Sequence, residues 1–348
     1  VDSGSVLFED GNISAVNPVN MTADRIIDGS GKVLTPGLIA SMNQLGLIEV
    51  AAVATSIDDS YKKQGLSFDP SYGFNFESSL IPFARKGGIT QSVVVPGGSD
   101  DMYKGQAFVV NLSGDYDSVE ATGVAVLAEF GAASKDSRAT NLLSFMDKLD
   151  EHKKKMEKAK KKKDDDKDKE PSKEDKLFAS ILKGELPVIV EASRATDILH
   201  LIKIKEEYGL NMALSWAIDA VRVKDELAKA EIPVLLDSMR NLPSDFDSLH
   251  ASLENAGELE RAGVKVILSN SDTHMMYNLR FDAGNAVSYG MTTHGALKAV
   301  TSNVAELFGI DGGTVEKGEP ANFVLKNGAP IEINTKVEAM WIKGEEVT

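Results

Sequence analysis

The stretch TPGLIASMNQLG, residues 35–46, divides the chain into two kinds of pattern. Its Pro36-Gly37 pair ends a run of short strands and turns, and the apolar residues that follow open an alternation of strands and helices. Upstream, SVLFEDGNISAV alternates around Asp10-Gly11, the signal of a β-hairpin, and RIIDGSGKVLTPG carries the strand-rich character to the break. The far end reads the same way. ANFVLKNGAP and KVEAMWIKGEEVT are strands around Asn-Gly and Lys-Gly turns. Residues 1–34 and 314–348 are therefore expected to pair into one small β domain.

Between them, ITQSVVVPGG, GVAVLAEFG, LPVIVEAS, MALSWA, IPVLLDSM and VKVILSNSD read as strands that are apolar throughout. Helical patterns follow several of them, in RATDILHLIKIKEEYG, DAVRVKDELAKAE and DSLHASLENAGELERAG. Strands buried on both faces and joined by helices make a parallel sheet. Over residues 35–313 the pattern predicts a (β/α)8 TIM-type barrel, with the open doubly wound sheet as the alternative. No Gly-rich dinucleotide turn favours the open sheet. Residues 147–176 are rich in Lys, Asp and Glu and predict a solvated helix that frays into a mobile loop. YKGQAF reads as a turn, since it lacks the spacing of a phosphate cradle.

Composition narrows the function classes. The chain has 348 residues, a formal net charge of −15 and 42% hydrophobic residues, so nucleic acid and anionic membranes are poor partners. No apolar run is long enough for a membrane span. There is no cysteine, which removes disulfides, thiolate nucleophiles and Cys-type zinc sites together. The first residues, Val1-Asp2-Ser3-Gly4, lack an initiator Met, which allows a cleaved leader and an exported or periplasmic location; otherwise the chain is expected in the cytoplasm. Three Asn-x-Ser/Thr triplets, at Asn12, Asn20 and Asn111, are short enough to arise by chance.

In such a barrel the active site lies at the C-terminal ends of the strands. The strand-end residues are Met42-Asn43-Gln44, Glu129, Glu191-Ala192-Ser193, Ser215-Trp216, Asp237 and Asp272-Thr273-His274. Glu129, Glu191, Asp272 and Gln44 form an oxygen-rich candidate metal set, suited to Mg²⁺, Mn²⁺ or Ca²⁺ rather than Zn²⁺. Asp272 and His274 form a candidate metal-free acid/base pair. Arg194, Trp216 and Arg280 are candidates for ligand binding; Arg194 and Asp197 also fit a helix start.

The sequence resembles the amidohydrolase superfamily, and within it the imidazolonepropionase-like branch. IIDGSGKVLTPGLI, VIVEASRATDI, LSNSDTH with NLR, ALKAVTSNVAELFGIDGGTVEKGEPANFVLKNGAP and VEAMWIKGEEV carry the resemblance in the expected order over nearly the whole chain. The resemblance implies a metal-bearing barrel flanked by a β-sandwich built from both chain ends. It also implies hydrolysis of a carbon–nitrogen bond in a cyclic amide, an N-acyl amino acid or a dipeptide. The family's PGLID-x-H-x-H falls on Ala40, Met42 and Gln44, its strand-five histidine on Glu191, and its strand-eight acid on Asp272. Of five histidines, His152 lies in the charge run, His200 and His250 in helical patterns and His294 before a helix, leaving His274 near a strand end. The expectation is one divalent metal or none. Three readings stay open: a hydrolase with a rebuilt carboxylate-type metal site, a silent barrel that binds a small molecule, and a subunit that pairs with itself or with an active homologous hydrolase.

Overall fold

The computed structural model describes residues 3–20, 22–60, 65–98, 101–130, 137–161 and 170–347. Strands β1 (Val6–Glu9) and β2 (Asn12–Val16) form the expected hairpin, with Asp10 and Gly11 both in the left-handed backbone region that its turn demands. After β3 (Val33–Pro36), β4 (Leu38–Asn43) enters the interior and is buried along its whole length. There follow α1 (Leu80–Arg85), β5 (Ile89–Val94), β6 (Tyr103–Asn111), β7 (Val119–Glu129), α2 (Arg138–Lys161) and α3 (Lys173–Leu182). Next come β8 (Val188–Glu191), α4 (Ala195–Tyr208), β9 (Met212–Ser215), α5 (Lys224–Lys229), β10 (Val234–Leu236), α6 (Asn255–Arg261) and β11 (Val266–Leu268). The chain closes with α7 (Leu279–Ser288), α8 (Thr293–Ala299), α9 (Ser302–Phe308), β12 (Phe323–Lys326), β13 (Val337–Ile342) and β14 (Glu345–Val347).

β4 to β11 form one eight-stranded sheet in chain order, curled into a nearly closed barrel. At the seam between β11 and β4, Ile39 N–H donates to Val300 O at 2.9 Å and Gln44 N–H to Thr273 Oγ1 at 3.0 Å. β12, β13 and β14 join β3 in a second sheet, so both chain ends build one small domain. Ile13 of the hairpin packs with Ala321, Phe323, Leu325 and Trp341 to give this domain its own core.

The barrel departs from strict strand–helix alternation at one strand. β6 runs antiparallel to both β5 and β7. The links between Val94 and Tyr103 and between Asn111 and Val119 are shorter than the dozen or so residues a parallel crossover needs. YKGQAF, expected as a turn, is the start of this strand. Its Gly105 takes φ +125° where the register shifts, and a Cβ there would stand 2.8 Å from Phe68 O.

Two further expectations are corrected. In the charged segment, α2 and α3 pack as a helical hairpin, with Phe145, Leu149, His152, Phe178 and Ile181 buried between and behind them. His152 stacks on Phe178 at 4.0 Å and faces Asp175 through Nδ1, so successive turns of a highly charged helix still present a buried stripe. The loop expected to be mobile lies largely outside the described residues. In DSLHASLENAGELERAG the helix starts at Asn255, not at Asp247. Asp245 and Ser248 bind nearby backbone N–H groups, offering an alternative to helical bonds, and residues 247–254 form turns.

Inside the barrel, Ile39, Val93, Ala107, Val109, Ala125, Leu127, Ile189, Ala213, Leu235 and Ile267 make an apolar inner cluster with Val304, Leu307 and Phe308 of α9. Leu38, Ala40, Val188, Val190, Leu214, Val234 and Val266 point the other way, into the main core between sheet and helices. Side chains alternate along a strand, so two residues past the inner layer brings the next inward positions. These are Glu129, Glu191, Ser215, Asp237 and Ser269, a polar ring at the C-terminal mouth above an apolar interior.

Candidate active site at the barrel mouth

β7 and β8 are parallel neighbours in a register that sets Glu129 beside Glu191. Two carboxylates side by side repel unless a cation or a proton intervenes. Here both devices are present. Lys104 forms an ion pair with Glu129, and both side chains are close to 90% buried, at 12% and 11% exposure. Burial, and then the Glu129 charge, push the Glu191 carboxyl up to about 7, against smaller opposing effects of Lys104 and Arg240. Glu191 is thus poised to hold or release a proton near neutrality, as an acid/base group must.

Beside it lies a pocket lined by Met42, Ser215, Trp216, Asp237, Arg240 and Ser269, among others. Met42 and Trp216 have φ of +60° and +54°. Bulky L-residues seldom adopt this conformation, and both examples stand at the ends of barrel strands. The Trp216 carbonyl accepts a 2.6 Å hydrogen bond from Ser193 Oγ, which helps fix the turn. The Arg240 guanidinium stacks over the Trp216 ring at 3.7 Å.

The other sequence candidates are distributed around this centre. Arg194 precedes α4 and donates to Asp247 Oδ1 from Nε at 3.1 Å and Nη2 at 2.7 Å. Arg138 joins Asp247 to Asp197. This network, with the 2.7 Å bond between His250 Nδ1 and Asp219, ties the 237–254 segment to the start of α4. Asp272 is not on a strand. It follows β11 and accepts from His274 N–H at 3.1 Å, capping the short 3₁₀ turn Thr273–Asn278 with its side chain 64% exposed. His274 Nδ1 stands 3.9 Å from Asp272, while Nε2 lies 3.1 Å from Glu49 O. Gln44 is tied through Thr273 to the seam. Arg280, on α7, is buried and donates to Thr335 O near the terminal sheet, apart from the mouth.

The structure therefore brings Glu129, Glu191 and Trp216 to the mouth. It adds Lys104, Asp237 and Arg240, which strand-end reasoning overlooks or leaves without a role. Because β6 is reversed, its first residues, not its last, lie at the mouth. The recoverable signal is period-two counting from Leu127, Ile189 and Leu235.

A divalent centre is a poor match to this donor set. Among the described residues, no three His, Asp or Glu side chains converge as ligands. Glu129 is already neutralised by the Lys104 ammonium, which would oppose a second cation beside it.

The structure defines an eight-stranded α/β barrel with paired carboxylates at its C-terminal mouth and a terminal β domain. The sequence model of the amidohydrolase family matches residues 149–347, more than half the length, and the chain belongs to that family. Among solved structures, an amidohydrolase from Thermotoga maritima MSB8 shares 24% identity and a TM-score of 0.89, covering 99% of this chain and 94% of that one. A beta-aspartyl dipeptidase from Fervidobacterium islandicum AW-1 shares 14% identity at a TM-score of 0.57, over 99% and 92% of the two chains. A prolidase complexed with N-methylphosphonate-L-proline shares 13% at 0.57, over 99% and 94%. These likenesses establish the fold. No curated protein matches the sequence. No helix among the described residues is long and apolar enough to cross a membrane.

Proposed function

We propose that the barrel mouth hydrolyses a carbon–nitrogen bond other than an ordinary peptide bond in a small substrate: a cyclic amide, an N-acyl amino acid or a dipeptide. The observation that carries this reading is the Lys104–Glu129–Glu191 cluster at the C-terminal ends of the strands. As a carboxylate, Glu191 removes a proton from water as the water oxygen attacks the carbonyl carbon. As a carboxylic acid, it returns that proton to nitrogen as the carbon–nitrogen bond breaks. Lys104, paired with Glu129, supplies positive charge that opposes the charge gathering on the carbonyl oxygen. Asp272 and His274 stand at the rim and are assigned no chemical step. The family's hydrolases are metal-dependent, but no step is routed through a metal, because the residues present match one poorly. The motif stretches support placement in the imidazolonepropionase-like branch, and the two-part layout supports division into residues 35–313 and a composite terminal domain.

A second reading rests on the same ammonium. A mouth whose carboxylate pair is bridged through Glu129 to the Lys104 ammonium also suits a catalytically silent barrel that binds a small molecule or pairs with an active homologue. Hydrolysis of N-acyl amino acids, dipeptides and cyclic amides by metal-stripped protein, alongside Glu191→Gln, separates the two. Turnover in chelator that disappears in the variant supports the first reading. Turnover that needs added metal, or that persists in the variant, refutes the mechanism.

A further inference from the structure

We propose that Arg240, stacked on Trp216, is a carboxylate-binding subsite, so that the mouth takes amide ligands bearing a free carboxylate in preference to their neutral analogues. This rests on the reading of the mouth as an amide-binding site and adds the charge of the ligand to it.

Arg240 is the cationic member of the pocket at the ends of β4, β9, β10 and β11. Its guanidinium carbon lies over the indole, 3.7 Å from the ring centroid. A cation–π contact of this kind does not consume the N–H donors of the guanidinium, which project from its edge. Nε stands 4.0 Å from Asp237 Oδ2, at the outer limit of an ion pair and beyond hydrogen-bond reach. The side chain makes no hydrogen bond among the described residues. Arg194 shows the contrast: a few residues from the mouth, it is spent on Asp247 through two nitrogens.

The support is built rather than incidental. Trp216 is held in a left-handed backbone conformation by the turn that ends β9, with its carbonyl fastened by Ser193 Oγ. That strained turn presents the indole as a platform for Arg240 at the pocket edge. Apart from Asp237, the polar wall beyond the pair is made of the hydroxyls of Ser215, Ser269 and Ser271, which hydrogen-bond either charged or neutral ligands and so do not set the sign. Glu191 is the register neighbour of Ser215, so an amide directed toward Glu191 lies one strand from the subsite. A ligand with an amide at one end and a carboxylate at the other, an N-acyl amino acid or a dipeptide, spans both. A neutral cyclic amide leaves Arg240 unused. An in-plane guanidinium and a carboxylate form paired charge-assisted hydrogen bonds, which a primary amide cannot reproduce.

The test is calorimetric titration of the full chain with N-acetyl-L-leucine, N-acetyl-L-phenylalanine and N-benzoylglycine, each against its own primary amide. At least one acid binds about tenfold or more tightly than its amide. Arg240→Gln removes that preference, Arg240→Lys keeps part of it, and Trp216→Phe weakens it. Glu191→Gln retains it, since Glu191 faces the amide end. Equal affinity for acid and amide, a preference that survives Arg240→Gln, or no binding by any of the six compounds overturns the subsite. Carboxylate preference without hydrolysis refutes the catalytic reading alone; equal hydrolysis of anionic and neutral substrates refutes the subsite alone.

Discussion

Both ends of the barrel bury a lysine, and the two are treated in opposite ways. At the mouth, Lys104 faces Glu129 in a nearly sealed ion pair, with Glu191 beside it. At the floor, Lys326 of β12 has no exposed surface, and its ammonium points to the Pro330 carbonyl at 3.4 Å. Burial, and then the nearby Arg280 charge, lower its pKa to about 8. Arg280 itself donates to Thr335 O and leaves its Nε buried without a partner. The mouth sets its acids against cations. At the floor the aliphatic stem of the lysine fills space between barrel and terminal sheet, and the charge is tolerated at a cost.

Mutations of opposite sign follow from this contrast. Lys104→Met removes the partner of a sealed carboxylate and should lower stability by about 3 kcal/mol at pH 7, read as a shifted denaturation midpoint. A stability gain would mean the pair is a liability like its counterpart. Lys326→Met should raise stability by about 2 kcal/mol at pH 7. In the folded protein this lysine loses its proton near pH 8 rather than near 10.5, so the unfolded chain binds more protons in that window. Stability of the wild type should therefore rise from pH 8 toward 10.5, and the variant should lose that rise. A flat wild-type profile would show that Lys326 finds another partner.

Glu191→Gln sharpens the same comparison at the mouth. Its carboxyl is raised from 4.5 to about 7, so the folded protein binds more protons between those values and loses stability as pH climbs through 7. The variant should gain about 2 kcal/mol at pH 8 and close to nothing at pH 4. An equal gain at both pH values would point to packing instead of charge. The smallest effect is expected at the rim. Asp272→Ala removes a cap from an exposed turn, costing about 1 kcal/mol and leaving hydrolysis intact. Loss of turnover at unchanged stability would return Asp272 to the chemistry.

Much of this architecture is legible in the amino-acid sequence. The Asp10-Gly11 hairpin, the apolar strands around Ile189 and Ile267, and the strand-rich ends all follow from local pattern, and each is present. Glu129 and Glu191 are visible as strand ends. Lys104 is not, because a glycine-marked bulge at the start of β6 looks like a turn and because an antiparallel strand reverses which end meets the mouth. Arg240 lies beyond a strand, and its stacking on Trp216 depends on a turn whose positive φ no residue pattern announces. Asp272 looks like the end of a strand, yet β11 stops at Leu268 and the chain turns before reaching it. His152 is hidden by its charged neighbours, although Phe145, Leu149 and His152 sit at helical spacing.

The acid/base role of the mouth is tested most directly by titrating the Glu191 carboxyl, followed by carbon NMR of labelled glutamate with Glu191→Gln to assign the signal. The expected midpoint is near pH 7 in the wild type, moving higher in Lys104→Gln as the balancing ammonium is removed. A midpoint near the ordinary glutamate value, unchanged by Lys104→Gln, would contradict that role.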